Sequence, residues 1–420
     1  METASNENKL LKFSMNFFII YCFFSYIFKE TVFGLQSYVY NCIIIFMFTF
    51  GILLIKYIRL KINLISVFWV PYLIYTMFGY AIQGNLESFI YWFVCFVILA
   101  ISTRCELYKY MSLKLVFAMG IFFTIGVYVQ YFLPDFYNAN IATLFKSADK
   151  IEYWNKDYGL AGFSYQLDTT AVPALIGAGI CLLFFGQNEN NRKIQKKYVI
   201  IYLIMVAAVF MTGKRMSSFI SVVAPLMAYF ISQEKLIGKI KVLFGTVMVV
   251  TVLYYVIYFN IDYFYNTKAL HRIIQSVFNI ERNIDITSGR NNLSKIAIST
   301  YKEHPLTGIG IGNFIRYTHA YTDVHNTYLQ VLCEQGIVGF VLYVIPLFLC
   351  LISTIDRIRV CHIQHLRKYL TFSLFIQLTY IMLSFSGNTN INMWGFCMYF
   401  IAIGVMMSCN DTKEGSVIPE

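Results

Sequence analysis

The sequence predicts an all-α polytopic membrane protein of about twelve transmembrane helices, with a large outer loop that contains short amphipathic helices. Three observations carry that expectation. Over 420 residues the chain is 58% hydrophobic, 18% aromatic and only 13% charged, far more apolar surface than a water-soluble core needs. Uncharged apolar runs long enough to cross roughly 30 Å of hydrocarbon recur along its length. The basic residues between those runs alternate as cytoplasmic and outer loops do.

In chain order the apolar runs lie near 11–28, 36–55, 62–82, 87–103, 113–133, 168–186, 198–212, 216–232, 242–259, 327–352, 369–385 and 393–409. Twelve crossings bring both termini to the same side. Placing the N-terminus in the cytoplasm puts 20 of the 33 Lys and Arg residues inside, among them Lys56, Arg59, Arg192, Lys196, Lys197, Arg357, Arg359, Arg367 and Lys368. Most of the others fall in two long outer loops, 134–167 and 260–326, and long loops cross largely regardless of charge. The exception is Lys214-Arg215, an outward-facing pair in a turn too short for that explanation. The net charge of +11 therefore mostly records topology and gives no reason to expect nucleic-acid binding. The first run is too long, and too poor in small residues at its end, for a cleavable signal peptide, so it is expected to remain a helix.

The ten cysteines form no CxxC pair and avoid the long outer loops, which supports neither a disulfide framework nor a thiolate metal site. They read as small apolar packing residues. With no internal repeat, linker or soluble domain, residues 1–420 are expected to form a single integral membrane domain. Its one large polar region is the loop 260–326. Leu270, Ile273, Ile274, Val277 and Phe278 follow helical spacing there. A second amphipathic helix follows, with Thr287 or Ser288 as N-cap, Leu293, Ile296, Ala297, Thr300 and Tyr301 on one face, and Pro305 ending it. Arg290 falls in its first turn, where free backbone N–H groups also favour an anion.

The chemistry-bearing residues cluster in and after this loop. HPLTGIGIGNF runs from His304 to Phe314, and HNTYLQVLCEQGIVG from His325 to Gly339. Gly308, Gly310 and Gly312 suit either a loop needing positive φ angles or a backbone that approaches a substrate closely; no dinucleotide fingerprint is present. His325-Asn326 opens a membrane helix at its outer end. Four of the six histidines (His271, His304, His319, His325) share the loop, but no HExxH or i,i+4 His pair suggests zinc. Glu334 and Asp168 are carboxylates in or at the edge of apolar helices, a placement that marks functional candidates, although N-terminal capping explains Asp168 equally well. In the other outer loop Tyr153, Trp154, Tyr158, Phe163 and Tyr165 suit either sugar stacking or an interfacial aromatic belt.

Taken in order, these elements resemble the O-antigen ligase and polymerase superfamily, which holds Wzy-type polymerases and WaaL-type ligases. The carriers are the Lys214-Arg215 turn, a long outer loop with Gly289-Arg290, the His304–Phe314 stretch, and His325-Asn326 with Tyr328-Leu329, followed by Glu334 and its glycines. The resemblance is detailed over about 215–340, and the helix count and termini agree over the whole chain. It implies a metal-independent glycosyltransferase, without cofactor, in the bacterial inner membrane. Both termini would be cytoplasmic and the active site on the outer face. The donor would be an undecaprenyl-diphosphate-linked oligosaccharide, with membrane lipids and a chain-length-regulating co-polymerase as further partners.

In that family, Arg215 and Arg290 match arginines associated with the diphosphate, and His325 matches the histidine that would act on the acceptor hydroxyl. Lys214, where many relatives have Ser, is an expected substrate-binding residue together with Gly308, Gly310, Gly312, Asn313, Asn326 and His304. The expected function is polymerisation of surface-polysaccharide repeat units, O-antigen or capsule. Ligation onto a final acceptor such as lipid A core is the alternative. A flippase, which would place polar groups near the midplane of broken helices, fits less well.

Overall fold

The computed structural model describes residues 2–30, 64–103, 106–145, 159–164, 166–185, 192–234, 237–240, 290–389 and 393–409, with isolated helical positions between 244 and 275. Described residues are overwhelmingly helical, 82% of them, with no strand among them. The helices are α1 Glu2–Glu30, α2 Leu64–Ile82, α3 Leu86–Ser102, α4 Leu113–Phe132, α5 Pro134–Asn140, α6 Leu167–Ile180, α7 Arg192–Met211, α8 Arg215–Ser232, α9 Arg290–Glu303, α10 Phe314–Thr318, α11 Thr327–Val360, α12 Gln364–Leu383 and α13 Met393–Ser408.

Helix therefore occupies the expected apolar segments, apart from 36–55, which lies outside the described residues, and 242–259, of which only scattered positions are described. Among the described residues, three helices are long and apolar enough to cross a membrane: Leu113–Phe132, Arg215–Ser232 and Thr327–Val360. Shorter apolar helices run Val67–Ile82, Ser88–Ser102, Leu167–Leu183 and Cys397–Ser408. Many of their outward side chains are apolar, such as Phe78, Ile82, Phe132 and Phe348. Helices apolar on their outer faces as well as their inner ones suit a lipid surround, where only internally satisfied backbone is tolerated. The first amphipathic segment expected in the loop, around 270–278, lies almost entirely outside the described residues; the second is α9, with Leu293, Ala297 and Thr300 buried as its spacing requires.

The chain divides into two compact units. One comprises Met1–Met15, Ile45–Met111 and Thr287–Glu420. In it α11 packs against α2, α9 and α12, and α13 against α3 and α12. Its centre is a buried aromatic cluster. Trp69 meets Tyr72, Tyr343, Tyr399 and Phe400 edge-on and donates its indole N–H to Cys350 Sγ at 3.2 Å. Tyr343 and Tyr380 share a 2.9 Å hydrogen bond between hydroxyls, which satisfies those two polar tips inside the cluster.

The other unit comprises Asn16–Ile44 and Ser112–Ile286. Here α6 is buried along almost its whole length between α4, α7 and α8. Gly120 of α4 and Gly177 of α6 make that possible, because a Cβ on either would lie 2.6–2.7 Å from the other's Cα. Small residues at such a crossing let two membrane helices bring their backbones together. The described cysteines are buried thiols and form no disulfide with one another, as suits packing residues.

Candidate functional site

In the first unit the site is built on a break in α11. Gly336 has φ 64° and ψ −167°, a conformation essentially confined to glycine. The break frees backbone groups of α11, and the loop after α9 takes them up. Ile309 N–H donates to the Cys333 carbonyl at 3.1 Å and Gly310 N–H to the Glu334 carbonyl at 2.8 Å. In the other direction, Ile337 N–H donates to Pro305 at 2.8 Å and Val338 N–H to Leu306 at 3.3 Å. The crossing is backbone on backbone. A Cβ on Gly336 would lie 2.2 Å from the Leu306 carbonyl oxygen, and one on Gly308 would lie 2.3 Å from the Glu334 carbonyl carbon.

Glu334 fixes the rest of the loop. It is buried, and its carboxylate accepts from Gly312 N–H at 2.9 Å, from Phe314 N–H at 3.2 Å and from Gln330 Nε2 at 3.3 Å. Gly308, Gly310 and Gly312 all have positive φ, 68°, 93° and 71°. Their N–H groups go to His304 O, Glu334 O and the Glu334 carboxylate. Asn313 closes the turn through Nδ2, which donates to Ile309 O at 3.1 Å. His304, exposed, pairs its Nε2 with the Tyr317 hydroxyl at 2.9 Å. Asp323, two residues before His325, accepts a long 3.4 Å bond from Gln330 Nε2. Burial holds its carboxyl above the usual range, and the Gln330 bond works against that shift.

The start of α11 places the remaining residues. His325 sits at φ 55°, a left-handed conformation that costs a β-carbon-bearing residue about 1 kcal/mol or more. Asn326 then caps α11, its Oδ1 accepting from Leu329 N–H at 3.1 Å, and its Nδ2 donates to the Phe385 carbonyl at 3.3 Å. Arg290, the first residue of α9, donates from a guanidinium nitrogen to the neighbouring carbonyl, Ser386, at 3.0 Å. Among the described residues no carboxylate pairs with that guanidinium. The turn after α12 thus holds Arg290 and the residue next to His325 on consecutive carbonyls. Sequence reasoning missed this turn. The polar interruption Ser384, Ser386, Gly387, Asn388 and Thr389 between two apolar runs is the only trace of it. Gly289, Ser288 and His271 lie outside the described residues. Among those that are described, no three His, Cys, Asp or Glu gather as metal ligands.

In the second unit, Lys214 and Arg215 stand where α8 begins, with Lys214 as its N-cap residue. The Lys214 ammonium lies 2.6 Å from the Asp168 carboxylate in the first turn of α6. The two candidates singled out separately in the sequence are therefore an ion pair, partly exposed at 24% and 45%. The nearby loop is tightly ordered. Gly162 N–H donates to Gln130 Oε1 at 2.7 Å and the Tyr137 hydroxyl donates to Gly162 O at 2.6 Å. Ser164, Thr169 and Thr170 bond through their hydroxyls. Phe163 packs against Phe122 with ring centroids 4.9 Å apart; Tyr153, Trp154, Tyr158 and Tyr165 lie outside the described residues.

Residues 200–344 match the family model described as O-antigen ligase, consistent with the O-antigen ligase/polymerase superfamily. The match covers about a third of the chain and takes in Arg215, Arg290, the glycine loop, His325 and the Gly336 break. The matched family suggests a glycosyltransferase-like enzyme of lipid-linked polysaccharide synthesis, and the apolar helices an integral membrane protein. No curated protein matches the chain.

Proposed function

We propose, on the premise of that family match, that the protein polymerises surface-polysaccharide repeat units, moving a glycan chain from undecaprenyl diphosphate onto the next lipid-linked unit. The observation that carries this reading is the pair of contacts on one turn. Arg290 and Asn326 bind the adjacent carbonyls Ser386 and Phe385, which brings a guanidinium near the strained residue His325. In the reaction the acceptor hydroxyl oxygen attacks the anomeric carbon of the donor sugar. The bond from that carbon to the phosphate oxygen breaks, its electron pair leaves with the diphosphate, and the hydroxyl proton passes to His325. Arg290 stabilises the charge that develops on the diphosphate, since a planar fork matches two phosphate oxygens and stays charged. Arg215 is assigned a diphosphate-binding role on the family resemblance alone, without a metal ion.

His304, Asn313, Asn326 and the three glycines are proposed to shape the substrate-binding surface rather than react, and Lys214, in the other unit, is proposed to bind substrate. The glycine amides do so indirectly, by keeping the loop on α11. A twelve-span topology with both termini cytoplasmic puts Arg290 and His325 on the outer face of the inner membrane, where a chain-length-regulating partner would also act. The family description itself favours a second reading, transfer to a final acceptor such as lipid A core.

Deleting the gene separates the two. A polymerase leaves surface glycan of a single repeat unit, because assembly, export and attachment of one unit need other proteins. A ligase leaves long chains that accumulate on the polyprenyl carrier and never reach the acceptor. Size ladders of surface and of carrier-linked polysaccharide, from the deletion strain and from Arg290→Lys and His325→Ala, make the measurement. Loss of a charged hydrogen bond at the transition state costs about 2–4 kcal/mol, or roughly 30- to 1,000-fold in rate. Long carrier-linked chains in the deletion strain would refute polymerisation, and a normal ladder from Arg290→Lys would remove that arginine from the chemistry.

A further inference from the structure

We propose that the 384–389 turn, which lies beyond the residues matched by the family model, is the positioning element that sets Arg290 against His325, and that the Thr327 hydroxyl is its latch. The inference rests on Arg290 acting on the donor diphosphate.

Thr327 is fully buried at the start of α11. Its N–H donates to Ser384 O at 2.9 Å, and its hydroxyl donates to Gly387 O at 2.8 Å while accepting from Thr389 N–H at 3.0 Å. Ser384 spends its own proton on Tyr380 O at 2.8 Å. With that assignment the 2.6 Å contact between the Ser384 and Thr389 hydroxyls is donated by Thr389, whose oxygen also lies 3.1 Å from the Thr327 hydroxyl. Every hydroxyl proton in this buried cluster then has an acceptor, and the hydroxyls of residues 327, 384 and 389 are linked to one another. Tyr328 adds a bond from its hydroxyl to Ile381 O at 3.1 Å and packs against Phe385 with ring centroids 4.7 Å apart and planes tilted by 47°.

The turn presents the carbonyls of residues 385 and 386 outward from this cluster, one to Asn326 and one to Arg290. A carbonyl is an uncharged acceptor, so it orients a guanidinium without neutralising it. The rest of the fork stays available to an anion. Thr327 touches neither Arg290 nor His325 in these bonds. It acts on Arg290 through the backbone of the turn.

The test compares Thr327→Val, which keeps the shape but removes the oxygen, with Thr327→Ser, which keeps it. Both are made alone and in an Arg290→Lys background, and assayed in membranes supplied with extracted lipid-linked repeat units. Removing the oxygen strands the Gly387 carbonyl and the Thr389 N–H. The saturated rate of Thr327→Val is expected to fall roughly tenfold or more, with donor KM within about twofold because the loss falls at the transition state. Thr327→Ser is expected to restore most of the rate. In the Arg290→Lys background Thr327→Val is expected to add little, because residues acting as one unit are not additive.

A normal rate from Thr327→Val beside an inactive Arg290→Lys would overturn the positioning role while leaving the proposed function standing. A further full tenfold loss in the Arg290→Lys background would overturn it too. Normal activity of Arg290→Lys itself would refute the functional reading beneath it. Should Thr327→Val fail to accumulate, Ser384→Ala removes the hydroxyl that accepts from Thr389 and donates to Tyr380 O. It is expected to lower the rate in the same sense by a smaller factor, and an unchanged rate there counts against the turn.

Discussion

Replacing Gly336 by alanine tests whether the loop really threads the broken helix. At φ 64° and ψ −167° an alanine carries a backbone strain of about 1–3 kcal/mol. Its Cβ would also lie 2.2 Å from the Leu306 carbonyl oxygen and 2.6 Å from Thr307 N, backbone atoms with no flexible end to swing aside. The loop must retreat, which weakens the bonds at Ile309, Gly310, Ile337 and Val338, each contributing on the order of 1 kcal/mol. Together these amount to about 3–5 kcal/mol, or roughly 6–20 °C in melting temperature for a unit of this size. Gly84→Ala is the control: its φ is 70°, yet nothing lies within 4 Å of the added Cβ, so it should cost only about 1 kcal/mol of strain. Gly310→Ala should fall between them, since its Cβ meets only the end of the Asn313 side chain at 2.8 Å. Unfolding can be followed in detergent with a thiol-reactive fluorophore, because Cys333 and Cys350 are buried and free. If Gly336→Ala melted no lower than Gly84→Ala, the backbone crossing, and with it the frame assigned to the site, would be refuted.

Glu334→Gln should loosen the loop without unfolding the protein, because a carboxamide has one acceptor oxygen for two amides that now each have their own; exchange of the Gly312 and Phe314 amides, read by hydrogen-exchange mass spectrometry, should speed up roughly tenfold, and unchanged exchange would show that the carboxylate is not their clamp. Lys214→Ala should reduce transfer much less than Arg215→Lys, by under about tenfold, since a partly exposed ion pair contributes only about 0–1 kcal/mol and Asp168 already engages that ammonium; equal losses from both would make Lys214 a diphosphate ligand in its own right. For topology, a cysteine at Tyr321 should react with an impermeant maleimide on intact cells and one at Lys196 should not; the described native thiols are buried and should add little background, and the reverse pattern would invert the proposed orientation.

What could be read from the sequence, and what could not, follows from where the interactions live. Apolar runs set the helices, and most of the expected boundaries fall within a few residues of α2, α3, α4, α8 and α12, because hydrophobic patterning is a property of side chains in line. Crossing length was less legible: among the described residues the apolar parts of α2, α3, α6 and α13 are shorter than a full crossing. The glycine loop was legible as a place of positive φ, and Glu334 as a carboxylate where none is expected. Their connection was not, because Glu334 grips N–H groups, which every residue but proline carries. The Gly336 break was hidden for a related reason. A glycine within an apolar run reads as a tolerated weakness in a helix, and only the loop filling the gap shows that the helix is meant to open there. The 384–389 turn lay furthest from view, since Arg290 and Asn326 bind the carbonyls of a phenylalanine and a serine whose side chains take no part. A site assembled on backbone carbonyls leaves its arginine and histidine visible in the sequence, and conceals the surface that decides where they point.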